Sequence, residues 1–137
     1  MSELIDRFRR YAVIEWNKIR RDTEEIGRYE ECSFSHNFML GQASRGKQIV
    51  VDLRATFPNL DNECGASEMS VEKLKSYALR QRGLLGKDKK DFEGMTEGSY
   101  DHAFTCGLIK RGEQSIINLY VTCPQLGSVE GVRELWE

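Results

Sequence analysis

The sequence predicts an α+β fold, a two-layer α/β sandwich with helices on one face of a mainly antiparallel sheet of about four strands, in the order α-ββ-α-ββ-α. Three observations lead there. Apolar residues recur at helical spacing over 3–28 and again over 70–82. Four other segments alternate apolar and polar residues with period two. Short glycine-bearing stretches separate those segments in pairs, as in hairpins.

In the first helix Leu4, Ile5, Phe8, Ala12, Trp16 and Ile19 recur at helical spacing, with Ser2 as its cap and Gly27 at its end or a break. Over 32–40, Cys32, Phe34, His36, Phe38 and Leu40 fall on one face of a half-buried strand, and Ser33, Ser35, Asn37 and Met39 on the other. Residues 41–46 make a loop with glycine at both ends. The alternation resumes over 48–57, with Ile49, Val51, Leu53, Ala55 and Phe57 facing inward. A polar loop over 58–69 leads to the second helix, which carries Leu74, Tyr77, Ala78 and Gln81 and stops at Gly83. Residues 86–101 form the longest irregular segment. A second hairpin pairs His102, Phe104, Cys106 and Leu108 with Ile117, Leu119, Val121 and Cys123, turning at Arg111, Gly112 and Glu113. A short helix over 129–136, capped by Ser128, closes the chain. The halves share an element order but no convincing residue-level duplication. The expected unit is a single globular domain over 1–137.

The chain has 137 residues, 39% hydrophobic and 31% charged, with 20 Lys+Arg against 22 Asp+Glu. That is enough apolar content for a core and too much for disorder at a net charge of −2. The near-neutral balance argues against nucleic acid as the main partner. No apolar run is long enough to span a membrane, and the first residues lack the apolar stretch of a signal peptide. Cys32, Cys64, Cys106 and Cys123 contain no CxxC pair and read as reduced thiols of a cytoplasmic protein.

The most specific pattern is the pairing of each histidine with a cysteine, Cys32-x3-His36 and His102-x3-Cys106. Zinc accepts two cysteines and two histidines. Residues four apart on a strand lie about 13 Å apart, however, so all four cannot meet one ion without a bulge. A cysteine beside an imidazole could instead serve as a nucleophile, as in Cys106 with His36 or Cys32 with His102. Against both stands an ordinary core reading, since buried cysteine is usually inert. Asp101 adjoins His102 but would point to the other face of a strand. Cys64 sits in a turn-like loop without a base nearby. Ser70-Val71-Glu72-Lys73 spells SxxK without its companion motifs, and Ser70 fits a helix cap better. No phosphate-loop, zinc-protease or calcium-loop motif is present, and no cofactor is implied.

These observations point to a non-catalytic binding or interaction protein of the inhibitor, immunity-factor, chaperone or adaptor kind. It would offer a sheet face, a sheet edge or the N-terminal helix to a protein or small ligand. The expected contact residues are Arg54, Tyr120, Asn118 and Asn37 on the open sheet face, and Arg10 and Arg20 on the helix. A homodimer is a corollary, because four strands leave two edges. The alternatives are a small hydrolase or transferase using Cys106, His36, Cys32 and His102, and nucleic-acid contact through the basic run 7–21.

Overall fold

Leu4, Ile5, Phe8, Tyr11, Glu15 and, two turns farther on, Asp22 fall on one face and bury one stripe of the first helix, α1, Ser2–Ile26. The computed structural model describes residues 2–127, and among them it contains helices and no strand. After α1 come α2 (Phe34–Thr56), the single turn α3 (Gly65–Glu68), α4 (Val71–Glu93) and α5 (Tyr100–Thr122), then a 3₁₀ turn over Pro124–Leu126. The α+β sandwich and its antiparallel sheet are therefore corrected to a bundle of four long helices. Both expected hairpin turns lie inside helices: residues 41–46 are in the middle of α2, and Arg111, Gly112 and Glu113 are in the middle of α5. The expected irregular segment 86–101 is helical as far as Glu93. The helix expected over 129–136 lies outside the described residues.

Local chemistry explains where the helices start. Ser33, Ser70 and Ser99 are extended residues whose hydroxyls accept from the backbone N–H of His36, Lys73 and His102, each at 3.1 Å. Each such cap contributes about 1 kcal/mol. Ser70 is thus a cap and not a nucleophile in waiting. Gly83 does not stop α4, because a helix packed along its other face tolerates an exposed glycine at a cost of about 1 kcal/mol.

α2 and α5 form the centre, with α1 and α4 flanking them. The two central helices cross at Gly41 and Gly107. A Cβ on Gly41 would overlap the Phe104 carbonyl oxygen, and one on Gly107 would overlap that of Phe38 and come within 3.0 Å of the Gly41 Cα. Only glycine lets two backbones approach so closely. Farther along, Gly46 lies against the Arg111 side chain, so the two helices run in the same direction.

This register exposes a duplication at an offset of 66 residues. Ser33, His36, Phe38, Gly41, Arg45, Gly46, Gln48, Leu53, Thr56 and Pro58 recur as Ser99, His102, Phe104, Gly107, Arg111, Gly112, Gln114, Leu119, Thr122 and Pro124. In the outer helices Tyr11, Ala12 and Asp22 recur as Tyr77, Ala78 and Asp88. The geometry repeats as well. Cys32 and Gly98 both enter their helices with positive φ, at 69° and 85°. Gly46 packs on Ile19, and Gly112 on the equivalent Leu85. An approximate two-fold axis passes between Gly41 and Gly107. It also passes between Tyr11 and Tyr77, whose hydroxyls lie 2.9 Å apart. The absence of residue-level duplication read from the sequence is corrected accordingly.

Around that axis Phe8, Phe57, Leu74, Tyr77, Leu85, Ile116 and Leu119 close one hydrophobic core drawn from all four long helices. Phe8 packs its ring on Phe57 at 4.6 Å and edge-on to Tyr77 at 5.8 Å.

Candidate functional site

The two-fold arrangement builds the same interface twice. On one side α1 meets α5; on the other α4 meets α2. Each buries an arginine of a central helix against an aspartate of an outer one: Arg111 with Asp22, and Arg45 with Asp88. A second polar layer exchanges acid for amide. On the first side Glu15 of α1 faces Asn118 of α5, and on the second Gln81 of α4 donates to Asp52 of α2 at 3.1 Å.

The two sides differ in how they treat charge. Glu15, Asp22 and Arg111 are fully buried, with Arg111 bonded to Glu15 and Lys18 paired with Asp22 at 2.9 Å. Burial raises the Glu15 pKa, and the Arg111 guanidinium offsets that only in part. Asp52 sits nearer solvent. Burial works to raise its pKa too, but hydrogen bonds from Arg80, Gln81 and Gln48 outweigh it, and the net shift is downward. Tyr11 links this layer to the core by bonding Ser115 at 2.7 Å, and burial holds both Tyr11 and Tyr77 in the neutral form.

Each of the other long helices exposes one or two large apolar side chains, and on α1 three of them are neighbours. Val13 lies opposite the buried stripe and is 57% exposed; Trp16 beside it is 53% exposed. Ile14 flanks Val13 on the other side and is also exposed. A groove of about 520 Å³ runs beside Trp16, lined by Arg9, Ala12, Val13, Arg54, Leu60 and Asp61. Its walls are braced. Arg9 donates to the carbonyls of Leu60 and Asn62 at 2.7 and 2.9 Å. Arg54 pairs with Asp61 at 2.8 Å, and its guanidinium carbon lies 5.7 Å from the Trp16 ring centre. Trp16, grouped by its helical spacing with Leu4, Ile5 and Phe8, is not on their buried stripe.

The residues expected to act together are dispersed. Arg54 is exposed in this groove, whereas Tyr120, its counterpart in the duplication, is buried in the core. Asn37 is buried in α2, and Asn118 is half-buried beside Glu15. Arg10 and Arg20 are exposed on α1, the latter bonded to Asn17 at 3.3 Å. Cys32 is exposed in the loop before α2, not on a core face. His36 and His102 occupy equivalent first turns, each with a buried Nδ1 that lacks a hydrogen-bond partner, and His102 stacks on Phe92 at 4.5 Å. Burial raises the Cys106 thiol pKa, the opposite of what an activated nucleophile needs. Among the described residues no hydrogen bond joins a cysteine to a histidine, and no group of three histidine, cysteine or acidic side chains could hold a metal ion. The sheet face and edges invoked for binding and self-association have no counterpart among the described residues. No helix among them is long and apolar enough to cross a membrane.

No protein-family profile, curated protein or solved structure matches this chain.

Proposed function

We propose that this protein is a non-catalytic binding module that presents the outer face of α1 to an acidic segment of a partner protein. The observation that carries the reading is the exposure of Val13 and Trp16 together, at the middle of a solvent-facing helix surface, with arginines around them. Tryptophan and arginine dominate the energetics of protein interfaces. Burying either apolar side chain against a partner contributes about 2 kcal/mol. Arg10 has no ion-pair partner among the described residues, and Arg9 and Arg54 are held in place by the groove itself. The groove therefore favours a partner that combines carboxylates with an apolar anchor. Four unpaired thiols suit a reducing compartment, in keeping with a cytoplasmic protein.

The test is selection from a displayed peptide library, followed by tryptophan fluorescence titration. Acid-rich peptides with an apolar residue should be enriched and should shift Trp16 emission. Their binding should weaken with salt, and should drop at least about tenfold in a Trp16→Ala, Arg10→Glu variant. Equal binding by that variant, or enrichment of basic sequences, contradicts the reading. A salt-dependent gel shift with single- or double-stranded nucleic acid, lost in the same variant, would replace the acidic peptide by a phosphate backbone.

A further inference from the structure

The duplicated interface supplies its own control. On the α2–α4 side the surface end of the polar layer is closed. Arg80 lies over Asp52, with Nε 3.1 Å and Nη2 3.3 Å from its carboxylate oxygens, and Gln48 donates to the same carboxylate at 2.9 Å. On the α1–α5 side, Ile14 stands where Arg80 stands and Asn118 where Asp52 stands. Gln114, the counterpart of Gln48, has a buried side-chain oxygen with no hydrogen-bond partner. What remains there is an open cleft of about 400 Å³ lined by Ile14, Lys18, Arg21, Gln114, Ile117 and Asn118.

We propose that this α1–α5 cleft is a binding site for a small organic anion, a carboxylate or phosphate monoester with a short apolar tail. The lining carries two cations and no carboxylate. Lys18 is balanced from behind by buried Asp22, which leaves Arg21 as the uncompensated charge; it has no hydrogen-bond or ion-pair partner among the described residues. The closed side has Leu84 in place of Lys18. So the open side gains a cation at its mouth and lacks the sealing arginine, while its carboxylate, Glu15, is fully buried behind Asn118 and bonded to Arg111. The amides of Gln114 and Asn118 line the same cleft; Gln114 can turn its N–H groups toward an anion, and Asn118 keeps one N–H beyond its bond to Glu15. Ile14 and Ile117 form apolar walls for a hydrocarbon tail. The volume lies in the range of small-ligand clefts. This site is distinct from the groove beside Trp16 and does not depend on it.

The test follows the side-chain amide signals of Gln114 and Asn118 by NMR in the full chain. Hexanoate and butyl phosphate are the probes; hexylammonium, hexanol and inorganic phosphate are the controls. The expected result is saturable shifts of both amides with one or both probes, the tighter one identifying the headgroup. Arg21→Glu should weaken the probe at least about tenfold, the loss of one charge-assisted bond. The triple variant Ile14→Arg, Glu15→Gln, Asn118→Asp copies the Arg80, Gln81 and Asp52 arrangement that the fold already accommodates, so it should fold and should not bind. No saturable shift with either probe overturns the proposal. So do equal shifts with hexylammonium or hexanol, binding of inorganic phosphate as tight as the probes, or undiminished binding by a folded triple variant.

Discussion

The first half of the chain and the second are one design carried out twice, and the differences show which features the fold requires and which it leaves free. Both halves keep the serine cap, the histidine, the crossing glycine, the buried arginine and its aspartate. They differ at the surface ends of the same interfaces. One side is sealed by Arg80, Asp52 and Gln48; the other is open. They differ also on the outer helices: both expose an aliphatic side chain, Val13 and Leu79, but beside it α1 has Trp16 where α4 has Arg82. Structure is conserved between the halves at the axis, and chemical individuality appears away from it.

The sharpest way to break the comparison is at the glycines. Gly107→Ala places a methyl group into the Phe38 carbonyl and should cost about 3 kcal/mol or more, whereas Gly83→Ala on α4 meets nothing within 4 Å and should stabilise by about 0.5–1 kcal/mol. Urea titration measures both. The buried arginines come next. Arg111→Met strands two fully buried carboxylates, Glu15 and Asp22, and should cost about 3–5 kcal/mol. Arg45→Met leaves Asp88 nearer water and should cost about 1–2 kcal/mol. Equal losses would mean that the two sides are not electrostatically different.

The tyrosines sharpen the picture at smaller scale. Tyr11 bonds both Tyr77 and Ser115, so Tyr11→Phe should cost about 2 kcal/mol and Tyr77→Phe about 1 kcal/mol. The pH dependence should have opposite signs on the two sides. Glu15 keeps its proton to higher pH in the folded chain, so stability declines as pH rises above its ordinary value of 4.5 and through the raised one. Asp52 has a lowered value, so its contribution is present above its ordinary 3.8 and is lost as pH falls through the lowered one. Urea midpoints across pH should lose the first slope in Glu15→Gln and the second in Asp52→Asn.

Of the outer helices, α1 was legible in the sequence, expected over 3–28 and found over Ser2–Ile26. Only the first half of α4 was legible, expected over 70–82 and found over Val71–Glu93, because its charged second half and Gly83 read as a loop and a stop. The central helices were not legible. α2 buries Asn37, Gly41, Gln42, Arg45, Gly46 and Asp52 beside its apolar residues, so its buried face is written in types that hydropathy counts as polar or neutral. What remained visible was a chance alternation that depended on counting Cys32 and His36 as apolar. Gly41 and Gly46 then looked like a turn, although they mark close packing. The duplication was within reach. The two histidines mark equivalent positions, but the cysteines near them do not: Cys32 corresponds to Gly98 and Cys106 to Leu40. Alignment on the histidines alone brings Gly41, Arg45 and Pro58 onto Gly107, Arg111 and Pro124. For the binding faces, the basic run of α1 was visible in sequence. The openness of the α1–α5 cleft was not, because it depends on which partner helix faces Ile14 and Asn118.

The claim on which the rest depends is that two equivalent helices meet backbone to backbone at Gly41 and Gly107. An isotopically filtered NOE between the Hα protons of those two residues tests it directly. A strong cross-peak is predicted, because a Cβ on Gly107 would lie 3.0 Å from the Gly41 Cα. Assigned Hα signals for both glycines with no cross-peak between them would contradict it.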